Sequence, residues 1–258
     1  MTELIQFSGL SYRATCRLPR TFRRSMIFPQ MRLLHVTDFH YRTAWFTWLH
    51  SHAEAFDTCC FSGDLLDMFP SAPTKLHRQA RWMRDWLRDF PRPIFVCSGN
   101  HDWWTVESPL VDTDAQGGWL RKAARSGVSV DGADIKFGDF RFVCCAWACA
   151  PAVTGTSPVV LLVHAPPAAT PVSSDLGHEV GDPDVAAAVM TLPPMSLVLS
   201  GHVHYPKRWH CRLGPAWCFN PGVDSSREEP NHIVIDTDTR TAVFHGYGRE
   251  LGPVHLDP

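Results

Sequence analysis

Two short apolar runs of the sequence each end in a pair of polar side chains separated by one residue. The pairs are Asp38 with His40, in the stretch HVTDFHYR, and His202 with His204, in the stretch LVLSGHVH. Because side chains alternate along an extended backbone, both members of a pair face the same way and the residue between them turns into the core. Carboxylate and imidazole groups presented side by side are typical ligands of metal ions. Alternatively, they are ordinary polar strand ends that lead into loops.

Three further apolar runs end in the same manner. The polar residues that follow them are Asp64, Asn100 and His164. In an open α/β sheet, ligands bind beyond the carboxyl ends of the strands, so these ends would bring their polar residues to one place. Glycine directly precedes the polar residue at positions 63, 99 and 201, where it permits a sharp turn and a close approach of the backbone.

The strand ends together supply seven candidate metal ligands: Asp38, His40, Asp64, Asn100, His164, His202 and His204. This set is too large for one tetrahedral zinc ion. It predicts two metal ions about 3.5–4 Å apart that share a carboxylate. The mixture of imidazole and carboxylate ligands favours Mn, Fe or Zn over Mg or Ca.

The chain alternates between strand and helix patterns from residue 31 onward. Strands are predicted over 32–37, 57–62 and 93–98, and helices over 43–56 and 74–90. Such alternation indicates parallel strands joined by crossover helices. Beyond about residue 127 the pattern is rich in strands up to residue 246, with one helix near 183–192. We therefore expect an α/β fold in which a second sheet packs on the first.

The predicted helix over 74–90 is amphipathic. Apolar residues recur along it at helical spacing: Leu76, Ala80, Met83, Leu87 and Phe90. Arginines cluster on another face, which is either a solvated helix surface or a surface that contacts phosphate groups.

Composition and charge exclude several classes of protein. The 258 residues are 45% hydrophobic and include ten tryptophans, which is enough for a globular core. The formal net charge of −2 gives no global field that would recruit nucleic acid or a membrane surface. No run approaches about 18 apolar residues, so no membrane-spanning helix is predicted. Nine cysteines without C-x-x-C spacing indicate reduced thiols in a cytoplasmic protein.

Residues 1–30 differ from the remainder of the chain. They contain five arginines and a single acidic residue, Glu3. We predict a poorly ordered basic extension over 1–30 and a domain over 31–258. The extension is a tail, a targeting segment or sequence upstream of the true start.

Taken in order, the five motifs resemble those of the calcineurin-like metallophosphoesterases. They are D-x-H at 38–40, GDxxD at 63–67, GNHD at 99–102, His164, and GHxH at 201–204. The pattern is closest to small bacterial-type phosphodiesterases, whose NPG turn is similar to FNPGV at 219–223. Serine/threonine phosphatases of the superfamily carry arginine and glycine where this chain has Met68 and Phe69. The resemblance implies a four-layer αββα sandwich of two packed mixed β-sheets flanked by helices.

The resemblance also implies a role for each motif residue. One metal would be bound by Asp38, His40 and His204, the other by Asn100, His164 and His202, with Asp64 bridging them. His101 would contact the phosphate and stabilise or protonate the leaving oxygen, and Asp102 would orient His101.

The implied activity is hydrolysis of a phosphoester. A water bound between two cations would lose a proton near neutral pH, and the resulting metal-bridging hydroxide would attack phosphorus. The preferred substrate is a phosphodiester of a nucleotide or a similar small molecule. Trp103 and Trp104 follow the third motif and either stack on a nucleobase or pack at the rim of the site. The alternatives are a nuclease acting on DNA or RNA, which needs a basic groove, and a non-catalytic scaffold of the same fold, which the complete ligand set disfavours.

Overall fold

The computed structural model describes residues 31–69, 72, 74–106 and 112–257 of the chain. The basic extension predicted over 1–30 lies outside the described residues.

The described chain contains fifteen strands and four α-helices. The strands are β1 (Arg32–Val36), β2 (Thr58–Ser62), β3 (Ile94–Cys97), β4 (Val128–Ser129), β5 (Asp134–Phe137), β6 (Phe140–Cys144), β7 (Val159–Leu162), β8 (Ser174–Asp175), β9 (His178–Glu179), β10 (Ser196–Leu199), β11 (His210–Leu213), β12 (Ala216–Phe219), β13 (His232–Asp236), β14 (Thr241–Gly246) and β15 (Arg249–His255). The helices are α1 (Thr43–His52), α2 (Leu76–Arg88), α3 (Gly118–Arg121) and α4 (Pro183–Val189), with 3₁₀ turns at Ala53–Ala55 and Asn100–Asp102.

Two large mixed sheets form the centre of the molecule. Sheet A has the order β15-β14-β13-β1-β2-β3-β4, and β1 to β4 run parallel. Sheet B has the order β11-β12-β10-β7-β6-β5, and β12, β10, β7 and β6 run parallel. Strands β8 and β9 form a separate hairpin. The parallel strands are buried on both faces, which explains why they read as continuous apolar runs in the sequence.

Three apolar clusters define four layers. The first cluster lies between the sheets and includes Leu33, Phe95, Phe142 and Leu199. The second lies between sheet A and helices α1 to α3 and includes Phe46, Phe61, Met83 and Trp119. The third lies between sheet B and α4 and includes Leu161, Val185, Val189 and Val198. The predicted αββα sandwich is therefore confirmed.

The predicted elements match the observed ones closely, with ends that shift by a few residues. The helix predicted over 43–56 is α1 followed by a 3₁₀ turn, and the helix predicted over 74–90 is α2. Ala80, Met83 and Leu87 on the apolar face of α2 are buried, whereas Arg81 and Arg88 on the arginine face are exposed. The sequence pattern did not reveal helix α3, β4, β11, β15 or the β8–β9 hairpin. The helix is only four residues long, and the strands lie at edges and lack a continuous apolar run.

The structure also bears on the predictions about membranes and cysteines. Over the described ranges, no helix combines the length and the apolar character needed to cross a membrane. Eight cysteines fall within those ranges, and each carries a free thiol.

Candidate metal centre

All seven candidate ligands converge at one edge of the sandwich. Three of the contributing strands, β1, β2 and β3, belong to sheet A, and two, β7 and β10, belong to sheet B. Each candidate ligand lies just beyond the carboxyl end of one of these parallel strands. The seven residues therefore lie together at the carboxyl ends of the strands, as the sequence predicts.

One group of candidate ligands forms around Asp38. The Nε2 atom of His204 lies 3.5 Å from Asp38 Oδ1 and 3.2 Å from His40 Nε2. The Nε2 atom of His40 lies 3.9 Å from Asp38 Oδ1 and 3.9 Å from Asp64 Oδ2. The Asp38 carboxylate and the rings of His40 and His204 therefore face a common point. The Asp64 carboxylate lies next to this group, beside His40.

A second group forms around Asn100. Its Oδ1 atom lies 3.1 Å from His164 Nε2 and 3.0 Å from His202 Nδ1. The Nε2 atom of His164 is also 3.3 Å from Asp64 Oδ1. Asp64 thus contacts members of both groups, one through each carboxylate oxygen.

The backbone that presents these residues is not extended, contrary to the expectation from the sequence. Asp38, His40, Asp64 and His202 all have left-handed conformations, with φ values of 56°, 45°, 58° and 67°. Hydrogen bonds between the loops stabilise this conformation, since Asp38 N donates to Gly63 O and His40 N donates to Asp64 O. Non-glycine residues adopt such angles at a cost of about 1–3 kcal/mol each, and they cluster at functional sites. Phe39 nevertheless turns into the core, as predicted, and is 1% exposed.

Glycine is required where the strand ends approach one another. A Cβ atom on Gly201 would overlap Thr37 Oγ1 and Asp38 Oδ2. The Thr37 hydroxyl donates a 2.6 Å hydrogen bond to Asp38 Oδ2, so this overlap falls on the atoms that hold the carboxylate in place.

Replacing this glycine is expected to damage the site. Gly201→Ala should displace Asp38, lower the metal content of reconstituted protein, and destabilise the fold by about 1–3 kcal/mol through overpacking. Urea unfolding and elemental analysis measure the two effects. Gly132→Ala is the control for metal content alone, because a Cβ there meets nothing within 4 Å, while its φ of +83° would itself lower stability. Native metal content in Gly201→Ala would show that Asp38 tolerates the displacement.

The two carboxylates are buried and balanced by imidazoles. Burial opposes ionisation of Asp38, but its hydrogen bond with His204 and the charges of His164 and His40 outweigh burial and hold its pKa well below the usual range. Burial likewise opposes ionisation of Asp64, yet the charge of His164 and its hydrogen bond lower the Asp64 pKa.

The four imidazoles divide into two kinds. Burial opposes the charge on His164, but Asp64 and Asp38 raise its pKa to about 9. The hydrogen bond to Asp38 raises the pKa of His204. Burial lowers the pKa values of His40 and His202. The two carboxylates thus favour the charged forms of His164 and His204, whereas burial disfavours the charged forms of His40 and His202.

The residues present fit a site for divalent cations. Three groups have ligand atoms within 4.8 Å of one another: Asp38, His40 and His204; His40, Asp64 and His101; and Asp38, Asp64 and His164. Among the described ion pairs, Asp38 and Asp64 are partnered only by histidines. Buried carboxylates need a compensating positive charge, and histidines bind metal ions as neutral rings, so a divalent cation could supply that charge here.

His101 lies beside the cluster and is held by the backbone. The Met68 N–H donates a 3.1 Å hydrogen bond to His101 Nδ1, and His101 Nε2 lies 4.0 Å from Asp64 Oδ2. Since Nδ1 accepts a hydrogen bond, the neutral ring carries its proton on Nε2, the atom that faces the site.

Asp102 does not occupy the position expected from the sequence. Its buried carboxylate accepts hydrogen bonds from the backbone N–H groups of Leu65, Leu66 and Gly99. Within the described ranges, no hydrogen bond joins it to the His101 ring. Burial raises the pKa of Asp102 to about 7. Asp102 therefore fixes the loop that follows Asp64, rather than orienting His101 directly.

Trp103 and Trp104 differ in their surroundings. Trp104 is 8% exposed, packs in the cluster beneath sheet A, and donates from Nε1 to Asp112 Oδ2 at 3.0 Å. The Trp104 ring thus packs inside the protein, as the rim-packing alternative describes. Trp103 is half-buried beside Gly117.

Three residues near the site escaped the sequence reading. The ring centroid of Trp147 lies 5.6 Å from that of His164 and 5.5 Å from that of His202. The ring of Phe69 lies 4.7 Å from that of His101. Asn220 is fully buried and donates from Nδ2 to Gly201 O and Val203 O, which holds the loop carrying two histidines. Trp147 and Asn220 also follow the ends of parallel strands, so the strand-end argument contained the signal for both.

Comparison with known proteins agrees with this geometry. The sequence pattern of the calcineurin-like phosphoesterase family matches residues 31–206. No curated protein matches the chain significantly. Solved structures of similar fold include TT1561 of Thermus thermophilus, which is 15% identical with a TM-score of 0.57 over 84% of this chain and 98% of that chain. Purple acid phosphatase PPD1 from yellow lupin (Lupinus luteus) seeds is 12% identical with a TM-score of 0.52 over 83% of this chain and 51% of that chain.

At these identities the two structures bear on the fold alone. The family match covers more than half of the 258 residues and includes all five motifs. The chain therefore belongs to the family of calcineurin-like phosphoesterases.

Proposed function

We propose that this protein is a dinuclear phosphodiesterase that cleaves a small phosphodiester, such as a nucleotide. The observation that carries the proposal is the convergence of two carboxylates, one amide and four imidazoles, with His101 held beside them. One ion would be held by Asp38, His40 and His204, and the other by Asn100, His164 and His202. Asp64 would contact both ions. We propose Mn, Fe or Zn as the ions, because these metals accept both imidazole and carboxylate ligands.

Bound divalent ions would supply positive charge against the phosphate oxygens and lower the pKa of the attacking water. In the overall hydrolysis, one bond forms between the water oxygen and phosphorus, and the bond from phosphorus to the leaving oxygen breaks. The leaving oxygen must then gain a proton.

His101 is the residue that we propose for the leaving oxygen. Its Nε2 proton faces the cluster, because Met68 N–H occupies Nδ1. Asp102 positions the Leu65–Leu66 backbone from which the Met68 loop continues. The geometry therefore offers an N–H group that can donate a hydrogen bond to the leaving oxygen, and the proton that this oxygen gains comes from solvent, because a ring whose Nδ1 accepts from Met68 has no second proton to give.

A nuclease has less support from the surface. Two arginines of helix α2 pair with acidic residues of the protein, Arg84 with Asp114 and Arg88 with Asp85. These pairs reduce the positive charge that the arginine face offers to a phosphate backbone. We also propose a cytoplasmic location, which the free thiols of the described cysteines support.

Hydrolysis assays on metal-reconstituted protein test the proposal. We expect about two ions per chain by elemental analysis and faster turnover of bis-p-nitrophenyl phosphate than of p-nitrophenyl phosphate. Cyclic AMP and single-stranded DNA are the comparison substrates. Preference for the monoester would indicate a phosphomonoesterase, and preference for DNA would indicate a nuclease. Full metal occupancy without hydrolysis of any substrate would indicate a scaffold.

A further inference from the structure

The loop that follows Asp64 presents an apolar surface to solvent beside the metal centre. Met68 is 39% exposed and Phe69 is 51% exposed. The Phe69 ring centroid lies 4.7 Å from that of His101 at an interplanar angle of 63°, and 6.0 Å from that of His40. A large apolar side chain half open to water beside reactive groups is a feature of ligand-binding surfaces.

Hydrogen bonds hold this loop in place. Asp67 N donates to Gln79 Oε1 at 2.8 Å, and Gln79 Nε2 donates to Asp67 O at 3.0 Å. Gln79 is fully buried, and Phe69 N donates to Asp67 Oδ1 at 2.9 Å. The exposed ring is therefore presented by an anchored turn, which lowers the entropy cost of binding a ligand there.

The position of the Phe69 ring places it beside the proposed leaving group. Phe69 packs against His101, which we assign to the leaving oxygen, whereas Trp147 packs against His164 and His202. The exposed ring of Tyr205 lies beside His204, at a centroid distance of 6.5 Å. Among these aromatic residues, Phe69 is thus the one beside the leaving group.

Resting on the proposed function, we infer that Phe69 is a specificity-determining residue that contacts an aromatic leaving group. The preferred substrate is then a phosphodiester whose leaving group contains a flat aromatic ring, such as the base of a nucleotide. Aromatic pairs favour edge-to-face or offset stacking, and their energy increases the affinity for such a group by about three- to tenfold.

Two substrates with leaving groups of similar acidity test this inference. Methyl 2-naphthyl phosphate presents a larger ring than methyl phenyl phosphate, so the ratio of their kcat/KM values measures ring contact. We expect the wild-type protein to favour the naphthyl ester by about three- to tenfold. Phe69→Ala should bring the ratio close to one, and Phe69→Tyr should retain it. Tyr205→Ala removes an equally exposed ring beside His204 and should leave the ratio unchanged.

Binding provides a second measurement that does not depend on turnover. Calorimetry with (2-naphthylmethyl)phosphonate and benzylphosphonate, whose P–C bonds resist hydrolysis, should show the same preference and its loss in Phe69→Ala. An equal fall in kcat/KM on both esters would mean that Phe69 acts by positioning His101. A ratio that Phe69→Ala leaves unchanged would place the leaving group elsewhere. Both outcomes overturn the inference but leave the proposed function standing, whereas absence of any phosphoester hydrolysis by wild-type protein would overturn the proposed function.

Discussion

Asp64→Asn is expected to lose bound metal and turnover together. Asp64 contacts both ligand groups, since one carboxylate oxygen lies near His164 and the other near His40. An asparagine retains one oxygen that can accept the 2.8 Å hydrogen bond from His101 N, so the loop should keep its conformation. It lacks the negative charge that would hold two cations close together, and several kcal/mol of transition-state stabilisation should disappear, equivalent to about 10³-fold or more in rate.

Elemental analysis and kcat/KM for bis-p-nitrophenyl phosphate measure the two losses in Asp64→Asn. Asp131→Asn is a matched control, because the Asp131 carboxylate also accepts a backbone hydrogen bond, 2.7 Å from Ser98 N, but lies outside the ligand cluster. We expect the control to retain its metals and activity. Two fully occupied metal positions in Asp64→Asn would show that this residue does not bridge them.

His101→Ala separates hydrogen bonding to the leaving oxygen from metal binding. The His101 ring is positioned by Met68 N–H and directs Nε2 toward the cluster, but its neighbour Asn100 carries the amide that meets His164 and His202. We expect the variant to keep both metals and near-native stability. Its turnover should fall by about 10²–10³-fold, the usual effect of removing one hydrogen-bond donor to a developing oxyanion.

The leaving group should determine the size of this loss. p-Nitrophenolate scarcely needs a proton, so its esters should lose less activity than cyclic AMP, which releases an alkoxide. His77→Ala removes an imidazole on helix α2 outside the cluster and serves as the control. Loss of metal in His101→Ala would make His101 a ligand, as its distance to Asp64 also allows. The same factor on both substrates would make it a structural residue.

The sequence predicted that the candidate ligands lie together at one edge of the sheets, but it did not predict the backbone conformation of these residues. Four of the candidate ligands follow apolar runs that form parallel strands: Asp38, Asp64, Asn100 and His164. Parallel strands end at the same edge of a sheet, so the order of strands and helices in the sequence is enough to predict that these residues lie together. The left-handed conformation of Asp38 depends on a hydrogen bond to Gly63 O. That contact joins two loops from different strands, so local sequence patterns do not reveal it.

The role of Asp102 shows a second limit of sequence reading. The family resemblance implied that Asp102 orients the His101 ring, yet a buried carboxylate accepts hydrogen bonds from whichever donors the fold brings to it. Here two of the three backbone donors are Leu65 and Leu66, which are more than thirty residues away in the chain, and the third is Gly99. Trp147 was missed for a different reason, because an aromatic side chain after a strand has many non-functional explanations and no ligand chemistry of its own.

The division of the site between the two sheets makes its chemistry a property of the complete fold. Sheet A contributes Asp38, His40, Asp64 and Asn100, and sheet B contributes only the three remaining histidines. A partly folded chain with one sheet formed would present an incomplete set of ligands, with carboxylates in one half and imidazoles largely in the other. Hydrolytic activity would therefore begin only when the two sheets pack together, and incompletely folded or damaged chains would be inactive.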